Sequence, residues 1–222
     1  MKSNEEKVAQ CTQLFKAAYE NRYTWDSDFI GYQGNCSWTD GEKKIKGIFT
    51  LGQDLKTTVN EIDDEKIKKA VSSQLWEVAI HRVRRSFEQT HGKNIFTFGD
   101  TNEIGSEILV GGKNEGDKYR VKNNVVTMVY RHIHGNLIII HTKDVTHTGN
   151  GYLSKSYSSQ YLDPISKKAL KGKSFYEDEF IPLFKGGPWV LASRSIQQES
   201  FEDSILSKQI FSFSELKSLG SN

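Results

Sequence analysis

From Asn94 to Ile196 the chain repeats one pattern: a short extended segment, then a two-residue turn signal. The segments are Asn94–Gly99, Glu103–Val110, Lys118–Lys122, Val125–His134, Leu137–His147, Leu153–Leu162, Ser174–Phe184 and Trp189–Ile196. Gly111-Gly112, Asn123-Asn124, Gly135-Asn136, Asp163-Pro164 and Gly186-Gly187 separate them, and these residue types suit tight turns. Links this short join antiparallel neighbours, since a parallel crossover needs about a dozen residues. Three further strands precede them: Asp28–Thr39, Lys44–Leu51 and Leu55–Ile62. Asp40-Gly41, between the first two, reads as a type I′ hairpin turn. A sheet of about 10–11 strands must twist and curl. The expected fold class is α+β: a long, strongly curved antiparallel sheet, an incomplete β-barrel.

Two amphipathic helices are available to cover the concave side. The first lies within residues 1–22: Ser3 and Glu6 form a capping-box pattern, and Val8, Cys11, Leu14, Phe15, Ala18 and Tyr19 recur at helical spacing. The second is expected over 63–87, with Ile67, Ala70, Val71, Leu75, Val78, Ala79, Arg82 and Val83 in one stripe. Acidic residues at its start suit the helix dipole. Residues 198–222 read as a tail, either short helices packed outside the sheet or a mobile end, with scattered Phe201, Ile205, Leu206, Phe211 and Phe213. The 222 residues suit one mostly-β domain, and no boundary interrupts them.

Thirty basic and 28 acidic residues leave a net charge of +2, which gives no electrostatic basis for a nucleic-acid partner. Cys11 and Cys36 fall in a helix and a strand, and free thiols in a reducing, cytoplasmic setting fit them better than a disulfide. The N-terminus has no apolar signal region. The longest apolar stretch, Leu137–Ile140, is far below the roughly 20 residues of a membrane span. Peripheral membrane contact is compatible with this composition.

All six histidines lie between positions 81 and 147. With Gly135-Asn136 as a two-residue loop, His134 pairs with Leu137, His132 with Ile139, and Tyr130 with His141. Tyr130, His132, His134 and His141 then share one face, with His132 and His141 diagonal neighbours roughly 7–8 Å apart. Such a face can line a ligand or serve a proton transfer. Histidines on a half-exposed strand also often do no more than satisfy local hydrogen bonds. Zinc-type ligand spacings are missing, so no metal or other cofactor is specified. The second cluster is His81-Arg82-Val83-Arg84-Arg85 at a helix end. Its cations complement the helix dipole without any ligand. In the ligand reading, Arg84 and Arg85 grip an acidic head beside His81 and Trp76. No nucleophile elbow, Walker loop or dinucleotide fingerprint occurs.

Arg22-Tyr23-Thr24-Trp25-Asp26, His81-Arg82-Val83-Arg84-Arg85 with Phe87-Glu88-Gln89-Thr90-His91-Gly92, and Arg131-His132-Ile133-His134-Gly135 resemble a family of uncharacterised proteins found across cyanobacteria, with plastid relatives. The resemblance spans about Tyr19 to Ile196 and implies a phototroph source, but carries no established activity. The order of elements also looks like the LolA/LolB lipoprotein-carrier fold, in which an N-terminal helix precedes an incomplete barrel. Three readings follow. The first is a binding or carrier protein for a hydrophobic small molecule, a lipid or pigment. The second is an enzyme acting on a tetrapyrrole or related photosynthetic metabolite through the histidine hairpin. The third is an assembly or scaffold factor contacting a photosynthetic complex.

Overall fold

The computed structural model describes residues 3–200 and 206–220. In chain order the elements are α1 (Asn4–Glu20), β1 (Gly31–Thr39), β2 (Lys44–Gly52), β3 (Thr57–Asn60), α2 (Glu65–Ile80), α3 (Phe87–His91), β4 (Asn94–Asn102), β5 (Gly105–Gly112), β6 (Lys118–Lys122), β7 (Val125–Ile133), β8 (Asn136–His147), β9 (Tyr152–Leu162), β10 (Ser174–Pro182), β11 (Trp189–Glu199) and β12 (Leu206–Ser218). The chain divides into two units. One comprises residues 3–23, 85–175 and 199–200; the other comprises 24–84, 176–198 and 206–220. The strands run β9-β8-β7-β6-β5-β4 in the first and β3-β2-β1-β12-β11-β10 in the second. β3 and β4 each end the order with one neighbour, so the antiparallel sheet does not close into a barrel. The α+β class and the unclosed antiparallel sheet are as the turn pattern implied.

In the first unit, α1 begins as expected. Ser3 accepts the Glu6 N–H at 3.2 Å, and the Glu6 carboxylate accepts the Ser3 N–H at 2.9 Å. Its apolar stripe packs on β4, β6 and β7. Phe15, 1% exposed, is the centre of this packing. Its ring centroid lies 4.4 Å from Tyr119, 5.0 Å from Phe96, 5.1 Å from His91 and 5.8 Å from Phe87. Tilted and edge-on contacts of this kind add to the area that the rings bury.

In the second unit, Asp64 caps α2 by accepting the N–H groups of Lys66 and Ile67. Ile67, Val71, Leu75, Val78 and Ala79 turn inward, and the helix packs on β1 and β3. A buried charge group holds it as well. Arg194 on β11, 2% exposed, donates to Asp178 on β10 at 2.7 and 2.6 Å and to the Gln74 side chain of α2 at 3.0 Å. Glu77 of the same helix lies 3.4 Å from this guanidinium. Cys11 in the first unit and Cys36 in the second are buried free thiols; burial pushes their pKa values up to about 12 and about 11.

Four expectations are corrected. The second helix ends at Ile80 instead of Phe87. Its last turn tightens as His81 and Arg82 donate to the carbonyls of Val78 and Ala79. Ser86 then opens α3 through a capping box with Gln89, and its backbone, at φ −65° and ψ 155°, lies outside the helical region. The 198–222 segment is no tail of short helices: Leu206–Ser218 forms β12 beside β1, with Phe211 and Phe213 buried opposite Trp38 and Cys36. Phe201 and Ile205 lie outside the described residues. At Asp40-Gly41 the register closes at Thr39 and Lys44, a longer loop than a two-residue turn. Asp40 stabilises it by accepting the N–H groups of Glu42 and Lys43. The β7–β8 hairpin turns at His134-Gly135, both at positive φ (49° and 77°), instead of at Gly135-Asn136.

Candidate functional site

The hairpin turn redraws the histidine face. Tyr130 faces Ile139, His132 faces Leu137, and His141 faces Met128. His132 and His141 therefore stand four residues apart along the ladder, about 13 Å, and are not the diagonal neighbours expected. His134 occupies the turn itself. The rings of Tyr130 and His132 meet edge to face at 5.9 Å. His132 Nδ1 lies 3.1 Å from the buried Asp117 carboxylate, which also accepts the His132 backbone N–H at 2.9 Å. Tyr130, His132 and His141 point away from α1, because Val129, next to Tyr130, packs with Tyr119 on the Phe15 cluster.

The remaining expected residues are scattered. Arg85 belongs to the first unit with the hairpin; Trp76, His81 and Arg84 belong to the second. Arg85 is exposed, and its carbonyl accepts the Tyr19 hydroxyl at 3.4 Å. Arg84 pairs with Asp26 at 3.0 Å and donates to Thr24 at 3.2 Å. Trp76 is 52% exposed, off the buried stripe of α2, and His81 caps that helix. Arg84 thus meets local partners.

A different set of residues comes together on the α1 side of the first unit. Cross-strand pairs share a face, so the row can be traced across the strands. Ile108 pairs with Tyr119, Tyr119 with Val129, Val129 with Ile140, and Ile140 with Ser159. A parallel row runs from Arg131 through Ile138 to Tyr161, and Thr142 with Tyr157 extends the face. Helix α1 covers the β4–β7 part. Beyond it, Ile138, Ile140, Tyr157 and Tyr161 are only half-buried. The result is an apolar surface on the inner side of β8 and β9, continuous with an aromatic core.

Two arginines lie around the aromatic core. Arg131, 37% exposed at its side chain, lies 3.4 Å from Asp117 through Nε, and that buried Nε makes no hydrogen bond. The Arg22 guanidinium sits 3.8 Å over the Tyr19 ring and donates from Nε to the Tyr19 carbonyl at 2.9 Å. Both cations act on His91, which is 6% exposed among Phe15, Tyr19 and Phe87. Burial, then the charges of Arg131 and Arg22, lower its pKa to about 4. It is therefore neutral at pH 7 and packs as an aromatic ring. Its Nδ1 lies 3.3 Å from the Asn94 side-chain nitrogen. Among the described residues no three His, Cys, Asp or Glu side chains gather as metal ligands.

Sequence reading missed Arg131, Asp117, Ile138 and Ile140. The alternation in β7 and β8 does carry Arg131, Ile138 and Ile140, as the face opposite the histidines; Asp117 lies in the turn before β6. Both faces of β8 are apolar, however, with Leu137 and Ile139 on one and Ile138 and Ile140 on the other. Alternation alone cannot say which of the two α1 overlies.

The chain belongs to a family described as protein of unknown function (DUF3386), whose model matches residues 6–219. No curated protein matches it. Several solved structures are loosely similar. A LolA superfamily protein from Nitrosomonas europaea shares 8% identity at a TM-score of 0.37, over 96% of this chain and 94% of that one. A domain described as an outer membrane lipoprotein-sorting protein from Vibrio parahaemolyticus shares 7% identity at a TM-score of 0.37, over 97% and 94%. A DUF1329 family protein from Desulfovibrio piger shares 12% identity at a TM-score of 0.30, over 97% and 95%. No helix among the described residues is long and apolar enough to cross a membrane.

Proposed function

We propose that this member of a family of unknown function is a non-enzymatic binding or carrier protein for a hydrophobic ligand, a lipid or pigment of a phototroph. One observation carries the reading: Ile138, Ile140, Tyr157 and Tyr161 extend the α1-side core as a half-buried apolar face that the helix does not cover. An apolar chain laid there gains about 0.8 kcal/mol per methylene removed from water, before the cost of ordering it. The enzymatic alternative, with histidine and tyrosine of the hairpin as proton donors, draws no added support from His132 and His141, which stand apart.

The test is native mass spectrometry of the full chain purified from its own host, with organic extraction of whatever it carries. A co-purifying apolar molecule is expected. Ile140→Asp, which places a charge on the apolar face, is expected to lose it while keeping the wild-type circular dichroism spectrum. A chain that carries nothing and takes up no added lipid or pigment overturns the reading.

A further inference from the structure

We propose that the loop between β9 and β10, within the first unit, is a membrane-docking tip that sets Ile165 into the headgroup layer of an anionic lipid bilayer while its lysines meet the lipid phosphates. The inference goes beyond the ligand reading and stands without it.

The loop, residues 163–173, runs from the end of β9 at Leu162 to the start of β10 at Ser174. Ile165 lies at its tip, 91% exposed, and Leu170 in the same loop is 52% exposed. A single exposed apolar residue is ordinary on a protein surface. This one is held out by the hydrogen bonds of its own turn. The Asp163 N–H donates to the Lys168 carbonyl at 2.8 Å, and the Lys167 N–H donates to the Asp163 carbonyl at 3.0 Å. The Asp163 carboxylate accepts the Ile165 N–H at 3.0 Å and the Ser166 N–H at 2.6 Å. Below the tip, Ala169 bridges to Leu162, and the Leu170 N–H donates to the Tyr161 carbonyl at 2.9 Å. The turn is closed at its base, so docking Ile165 orders little further backbone.

The surrounding charge selects the partner. Lys167, Lys168, Lys171 and Lys173 stand against the single acid Asp163, which leaves the loop at +3. The first three lysines are exposed. Lys167 and Lys171 lie over the rings of Tyr130 and Tyr161, at 5.9 and 4.1 Å. At the other end of the loop from Ile165, the Glu199 carboxylate accepts the Lys173 N–H at 3.4 Å; counting it leaves +2. The charges beside Tyr130 cancel in pairs: Lys118 lies 3.9 Å from Glu107, and Arg131 lies 3.4 Å from Asp117. An isoleucine ringed by lysines fits a partner that is apolar and densely anionic at once, and the interface of an anionic bilayer is both. Lysine stems can lie along hydrocarbon while their ammonium groups stay at the phosphates.

The test is co-sedimentation of the full chain with vesicles of phosphatidylcholine alone and of phosphatidylcholine mixed with phosphatidylglycerol, at low salt. Binding to the anionic vesicles is expected to be at least about tenfold tighter, since each lysine near the surface contributes about fivefold. Ile165→Ser is expected to weaken that binding about tenfold. Lys167→Gln, Lys168→Gln and Lys171→Gln combined are expected to remove the preference for anionic vesicles. Ile95→Ser, which trims a 59% exposed side chain on β4 of the same unit, is expected to change nothing. Ile140→Asp is expected to keep vesicle binding while losing the ligand, which separates docking from the ligand reading. Equal binding to the two vesicle types, binding to neither, or binding that survives both Ile165→Ser and the lysine variant overturns the inference. So does a loss with Ile95→Ser as large as that with Ile165→Ser. A loss with Ile140→Asp moves the membrane contact to the apolar face and overturns the tip as well.

Discussion

The two units each set one long helix against six strands, but they hold it by different physics. In the first, α1 is held by rings: Phe15 meets Phe87, His91, Phe96 and Tyr119 within 6 Å of centroid separation, the longest being 5.8 Å. In the second, α2 buries aliphatic residues and is also tied to β10 and β11 through Arg194. Ring packing is spread over several contacts, each worth about 0.5–1.5 kcal/mol beyond the area buried. A buried ion pair is all-or-none: paired, it contributes little net stability; unpaired, it costs several kcal/mol. The first arrangement borders the apolar face on which we propose that a ligand binds. The second fixes a helix in one register.

The sharpest way to break this comparison is Asp178→Ala. Arg194 then loses its buried counter-charge, and thermal or denaturant unfolding is expected to show a loss of about 3–5 kcal/mol. Replacing both partners together, Asp178→Leu with Arg194→Met, is expected to recover most of that loss, because two apolar groups need no compensation. If the double variant is as unstable as the single one, the group contributes more than charge pairing, and the contrast between the units has to be redrawn.

A smaller effect belongs to the aromatic unit. His91 has a folded pKa of about 4, below the roughly 6.5 of an unperturbed histidine. The unfolded chain therefore binds more protons than the folded one between those values. The stability from a neutral buried His91 is complete above pH 6.5, falls as pH drops toward 4, and is gone below it. The slope is at most about 1.4 kcal/mol per pH unit. His91→Phe is expected to flatten this part of the stability profile, measured by denaturant melts from pH 7 to pH 4. An unchanged slope means that carboxylates elsewhere set it.

These contrasts were unevenly legible in the sequence. The α1 stripe and its capping box follow from residues three or four apart, and the helix forms as they imply. The turn at Asn123-Asn124 was equally plain, with both residues at positive φ. The neighbouring turn was not. His134-Gly135 and Gly135-Asn136 each supply one glycine to a two-residue loop, and moving the turn by one position moves every cross-strand pair by two. Strand faces survive that shift because the side-chain period is two; neighbours do not. Hence Tyr130, His132 and His141 share a face as read, while the proximity of the two histidines was lost. Strand β12 was hidden by its charged and serine-rich composition, although Phe211-Ser212-Phe213 alternates as a half-buried strand should. Arg194 and Gln74, 120 residues apart, carry no local signal of each other.

The smallest effect concerns the break between α2 and α3, where the chain passes from one unit to the other at Arg84 and Arg85. Periodicity alone continued α2 across it. What stops the continuation is Ser86, whose hydroxyl accepts the Gln89 N–H at 3.1 Å and whose own N–H reaches the Gln89 side chain at 3.1 Å. Only five residues follow in α3, and two of them, Phe87 and His91, are buried in the aromatic cluster. Ser86→Ala removes one half of this box and is expected to cost about 1 kcal/mol, with Ser86→Gly costing only a few tenths. Amide exchange should place the loss at Gln89 and Thr90, leaving α2 amides such as Leu75 unchanged. If α2 amides lose protection as well, the cap is not what separates the two helices, and the aromatic unit and the ion-paired unit share one cooperative element.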